Sequence, residues 1–184
     1  MTEAWIYEHS ADNSARFVLG TVGENPLVCV GVNPSTAAPG QSDHTVRKVM
    51  GFAARNGFDS WVMLNLYPQR STDPKGMHST HSPELQAENE RHIVELLAGR
   101  PLTLLAAWGA PIKTRPYLAQ MLEGIVSASA AAGCSWVSIG DPTKSGHPRH
   151  PSRPSYTLPL LSFDVRQYLR AGTASVRHPL AAGS

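Results

Sequence analysis

Four apolar runs break off abruptly in polar turns marked by Gly or Pro: PLVCVGV at 26–32, SWVML at 60–64, PLTLLAAWG at 101–109 and CSWVSIG at 134–140. Runs with so little polar alternation belong to strands buried on both faces, which requires a mostly parallel sheet with helices covering each side. The intervening stretches supply those helices. In DHTVRKVMGFAARNG, Val46, Val49, Met50 and Ala53 share one face, Asp43 stands at the N-cap, and Asn56-Gly57 stops the helix. A second helix is expected near Leu85–Ala98 behind Ser82 and Glu84, a third over Tyr117–Ala132, and a closing one in LPLLSFDVRQYLRAG. The opening 25 residues read as a short strand or hairpin on the sheet edge. The expected fold is therefore α/β: a three-layer α/β/α domain over residues 1–172 with a four-stranded, mostly parallel core sheet, and a flexible tail at 173–184.

Composition excludes several classes. With 41% apolar and 16% charged residues in 184, the chain is globular rather than disordered. A net charge of +2 is too small to argue nucleic-acid binding from the total, yet Lys144, His147, Arg149, His150 and Arg153 crowd one loop. Cys29 and Cys134 are far apart, lie in apolar runs and read as reduced core thiols. There is no basic-then-apolar leader and no apolar run of about 18 residues, so a cytoplasmic protein without a membrane partner is expected. Neither a phosphate-binding G-x-x-x-x-G-K-[ST] nor a G-x-G-x-x-G is present, and His147 and His150 are separated by Pro148 with no Cys or acidic cluster beside them. No metal or cofactor is expected.

In a parallel sheet, ligands bind outside the carboxyl ends of the strands. The turns that converge there are GVNPST, LNLYPQR, AWGAP and GDPTKSGHPRHPS. Asn33, ahead of Pro34, can position a water, read a polar ligand or tie down its own turn; Ser35 can cap or donate. Asn65 ends a buried run, and its amide suits either the carbonyl-beside-N–H edge of a pyrimidine or neighbouring backbone. Trp108 is a packing or ligand-facing ring, and Gly109 admits a close approach. Arg70 and Asp73 offer a loop ion pair or a phosphate contact, and Asp43, His44 and Arg47 cluster at a helix start. His147 or His150 can donate to developing negative charge while Lys144, Arg149, Ser152 and Arg153 hold phosphates.

The ordered series GVNPST, MLN, AWG and HPRHPS resembles the motifs of the uracil-DNA glycosylase superfamily over roughly residues 26–156. A fuller resemblance, through NPSTAA, NLYPQRSTDP, AWG and TKSGHPRHP, is to an uncharacterised bacterial and phage family of unknown function. The glycosylase resemblance implies that Asn33 holds the attacking water and Asn65 reads the base edge. It further implies that His150 stabilises the departing base, while Ser152 and Arg153 contact the backbone of DNA or a nucleotide. The chain departs from that pattern in having Asn33 where the efficient branch has a water-activating Asp, and in lacking an apolar residue after HPS. These departures leave open a catalytically silent nucleotide- or nucleic-acid-binding module, or another nucleotide-processing enzyme.

Overall fold

The computed structural model describes residues 4–176. In chain order the elements are β1 (Trp5–His9), β2 (Arg16–Thr21), β3 (Pro26–Gly31), α1 (His44–Arg55), β4 (Ser60–Asn65), α2 (Pro83–Leu97), β5 (Thr103–Ala106), α3 (Tyr117–Ala131), β6 (Ser135–Ile139), β7 (Leu160–Ser162) and α4 (Val165–Val176). All strands join one seven-stranded sheet in the order β1-β2-β4-β3-β5-β6-β7.

The sheet is larger than the four strands expected. β4, β3, β5 and β6 pair in parallel, while β1, β2 and β7 add antiparallel strands at the two flanks. β1 and the fully buried β2 come from the opening 25 residues, where a short strand or hairpin on the edge was expected, whereas β7 was not expected. β7 is largely exposed and lies inside the stretch expected to begin the closing helix, which instead starts at Val165. That helix also continues to Val176, beyond the expected end of the domain at 172; the rest of the expected tail, 177–184, lies outside the described residues.

Alternation along each strand sends side chains to two separate cores. Val28, Val30, Val62, Leu64, Leu104 and Ala106 face α2 and α3, packing on Ile93, Leu97, Leu118, Leu122 and Ile125. Leu27, Cys29, Trp61, Met63 and Leu105 face α1, meeting Val46, Val49, Phe52 and Ala53. Asp43 caps α1 by accepting from Val46 N at 2.8 Å, and Gly57 leaves it at φ 80°. Ser82 caps α2 by accepting from Leu85 N, and Glu84 accepts from the Ser82 hydroxyl.

Phe52 is fully buried and meets Tyr156 edge-on with ring centroids 5.0 Å apart. Phe52→Ala is predicted to cost about 3–5 kcal/mol, read as a lower urea midpoint without a change in slope.

Candidate functional site

The spatial order of the parallel strands reverses at β3, whose two neighbours connect in opposite directions, and such a switch point leaves a crevice at the carboxyl ends. A cavity of about 960 Å³ opens there. Its floor follows the sheet: Arg16 from β2, Met63 and Asn65 from β4, Cys29 and Gly31 from β3, and Ala107 after β5. The residues from Asp43 to Val46 and the loop from Pro148 to Pro154 form its other walls.

Asn65 is buried, its Oδ1 has no protein partner, and Asn89 of α2 holds its backbone by donating from Nδ2 to the Asn65 carbonyl at 2.9 Å. Gly31 lies directly across the ladder. A Cβ at Gly31 would stand 3.1 Å from Asn65 Nδ2, so glycine leaves room for the amide to lie over the strand. Asn33 uses its Nδ2 on the carbonyls of Ser71 at 2.9 Å, Pro34 at 3.1 Å and Gln69 at 3.4 Å. These bonds lace the loop after β3 to the loop after β4 and hold Asn33 at the cavity wall.

The loop carrying HPS is clasped onto α1. His44 Nε2 donates to the Ser152 carbonyl at 2.9 Å, and Lys48 donates to that of Pro154 at 2.6 Å. Ser152 N and Oγ both donate to His150 Nδ1, at 3.3 and 2.8 Å. A neutral His150 therefore carries its proton on Nε2. Desolvation at the cavity wall holds His150 below the ordinary value of 6.5, against the opposing influence of Asp43. Gly109, at φ 57°, would place a Cβ only 3.5 Å from His150 Cβ, so the turn after β5 and this loop meet closely. His147 turns the other way: it is buried, its Nδ1 bonds the Tyr168 hydroxyl at 2.8 Å, and it does not line the cavity.

Arg16 is the residue that sequence reasoning missed. It is 2% exposed, its Nη1 donates to the Ala37 carbonyl at 3.0 Å, and its Nε is buried without a partner. Burial, with the neighbouring Arg70 charge, pushes its pKa down to about 10. Every ion pair among the described residues lies on α2, and Asp43 is the sole carboxylate lining the cavity, against Arg16, Arg149 and Arg153. Cationic side chains therefore outnumber carboxylates along its lining. The available signal was a lone Arg in the otherwise apolar ARFVLG. Expectation looked only to the ends of parallel strands, whereas β2 runs antiparallel to β4 and so delivers its first residue to the same rim.

Of the expected site residues, Asn33, Ser35, Asp43, His44, Asn65, Trp108, Gly109, Arg149, His150, Ser152 and Arg153 line this one cavity. Pro34, Arg47, Arg70, Asp73, Lys144 and His147 do not. Arg70 spends its guanidinium on the carbonyls of Ser35 and Ala37 and on the Tyr7 hydroxyl. Asp73 caps a short 3-10 turn by accepting from Lys75 N, Arg47 donates to the Ser42 carbonyl, and Lys144 is exposed. The Trp108 ring is fully buried among Trp136, Phe163 and Tyr168, which leaves no face to stack on a ligand.

Burial also holds His147 below 6.5, so both histidines of this loop bind protons more weakly folded than unfolded. Stability is then complete above about pH 6.5 and falls as the pH drops below it. Urea titrations at pH 7.5 and 5.5 should show that loss, and His147→Gln should reduce it.

Neither the curated proteins nor the solved structures return a match to this chain. One family does match, over residues 16–152, a span running from the buried Arg16 to Ser152 of the HPS loop. The chain belongs to the family described as "Protein of unknown function (DUF1643)".

Proposed function

We propose that the cavity takes a nucleobase with its sugar and phosphate, and that the chain is a uracil-DNA-glycosylase-like hydrolase cleaving the N-glycosidic bond of a modified or mismatched base. The fold in this reading is the three-layer α/β/α arrangement of that superfamily. The observation that carries it is the gathering of Asn33, Asn65 and His150, each from a different strand-end motif, around one cavity. The buried, unpartnered Asn65 Oδ1 supports base reading, because an amide without partners is costly unless a ligand supplies one.

In the chemistry this reading requires, the bond from C1′ to the base nitrogen breaks and its electron pair leaves with the base. His150 Nε2–H donates to the charge developing on that base, and desolvation keeps the ring neutral near pH 7. Asn33 Oδ1 accepts from a water whose oxygen bonds to C1′, the released proton passing to solvent. If the target base lies in duplex DNA, it must first leave the stack.

One observation favours the second reading, a nucleotide- or nucleic-acid-binding module without catalysis. Asp43, the cavity's one carboxylate, is already committed to capping α1, and the Asn33 amide nitrogen is committed to three carbonyls. No side chain with an unspent carboxylate stands ready to take the water's proton.

Alkali-revealed strand cleavage separates the two. Single- and double-stranded oligonucleotides carrying uracil, mismatched T or hydroxymethyluracil should be cleaved at the target base. Asn65→Ala and His150→Ala should each lower the rate about 100-fold. If nothing is cleaved, and nucleotide binding is weakened by Asn65→Ala, the module reading replaces the hydrolase.

A further inference from the structure

We infer that the cavity floor holds a doubly charged phosphate monoester on Arg16, with the N-terminus of α1 facing the same anion. This deepens the reading above, on which it rests only for what carries the phosphate.

Arg16 is nine-tenths buried and lines the cavity, yet its one protein acceptor is a neutral carbonyl. Arg70 donates to that same Ala37 oxygen at 3.3 Å, so two cations share one uncharged acceptor, and the Nε of each is buried without a partner. A guanidinium taken from water needs an opposing charge, and like charges this close raise that need. Asp43 forms no ion pair with either of them, although its charge acts on Arg16 across the cavity and offsets part of Arg70's. Across the cavity, His44 and Thr45 open α1, a 12-residue helix whose first N–H groups have no intrahelical acceptor and carry the positive end of its dipole; the Asp43 carboxylate takes that of Val46 and leaves the first two.

The lining sets Arg16, Arg149 and Arg153 against the single carboxylate of Asp43, an excess of two positive charges that balances a dianion better than a single charge. Position points the same way. Arg16 is buried at the start of β2, whereas in the loop from Pro148 to Pro154 Arg149 is half-buried and Arg153 exposed. A terminal phosphate can reach the floor, but a phosphodiester within a polymer must keep chain on both sides of it and stays at the mouth. The floor is thus selective for a free nucleotide or a phosphorylated strand end.

Calorimetric titration of the full chain tests this with inorganic phosphate, dimethyl phosphate, nucleoside 5′-monophosphates and the matching nucleosides. Inorganic phosphate and the monophosphates should bind, dimethyl phosphate should bind weakly, and Arg16→Met should lose at least about tenfold in affinity for both binders. Lys144→Met, which removes an exposed charge outside the cavity, should bind as wild type. In phosphate-free buffer Arg16→Met should melt at or above the wild-type temperature, because an apolar chain replaces an unpaired buried cation. Arg16→Gln carries the same binding test should the Met variant not fold.

Phosphate affinity within twofold of wild type in the Arg16 variants overturns the proposal, as does equal loss in Lys144→Met, which would mark an adventitious ion only. Phosphate binding lost in Arg16→Met with no base released from any substrate upholds the floor site and removes the hydrolase reading. Base release with unchanged phosphate binding in Arg16→Met does the reverse.

Discussion

The parallel pairing of β3 with both neighbours is the constraint from which the rest of the site follows. Gly31 stands opposite Asn65, and Val30 opposite Ala106, so three strands finish at one level and their turns have no direction to run except over the same edge. Backbone bonds extend the ladder past the strands: Leu66 N donates to the Gly31 carbonyl, Tyr67 N to that of Val32, and Ala107 N to that of Val30. Loops that begin in register can be laced by side chains, which is the service Asn33 and Arg70 perform. A one-residue slip would exchange Asn65 and its apolar neighbours between the two cores.

Several of the molecule's buried polar groups without partners lie at or near the cavity. Among the described residues, the buried side-chain atoms without partners include Arg16 Nε, Arg70 Nε, Asn65 Oδ1 and Asn89 Oδ1, all at or just behind this edge. Cys29 belongs to the same floor but contributes no reactive thiolate, since burial pushes it up to about 12.

The division between catalysis and binding depends on how little the hydrolysis of an N-glycosidic bond demands of the water. In the proposed hydrolase, a well-stabilised leaving base would need only an oriented water, which is the role proposed for Asn33 beside His150. Where stronger activation is needed, the cavity has none to give, because its one carboxylate holds the start of α1. The clasp of the HPS loop onto α1 through His44 and Lys48 keeps His150 in place for either role.

Much of this was legible in the sequence, because continuous apolar runs and the polar turns that end them are local signals. They located the four parallel strands, the starts of α1 and α2, and Asn33, Asn65 and His150 at strand ends. Three things were decided only by the tertiary structure. The far flank gained β7, since a three-residue, largely exposed strand carries no periodic signal. The histidine pair was divided, since both precede Pro and only packing against Tyr168 takes His147 away from the cavity. Arg16 entered the site and Arg70 left it, since a guanidinium's role depends on which acceptors the folded chain brings within reach, and those acceptors lie tens of residues away along the sequence. Local pattern determines which segments are buried and where they stop; long-range pairing determines which charges then face one another without a partner.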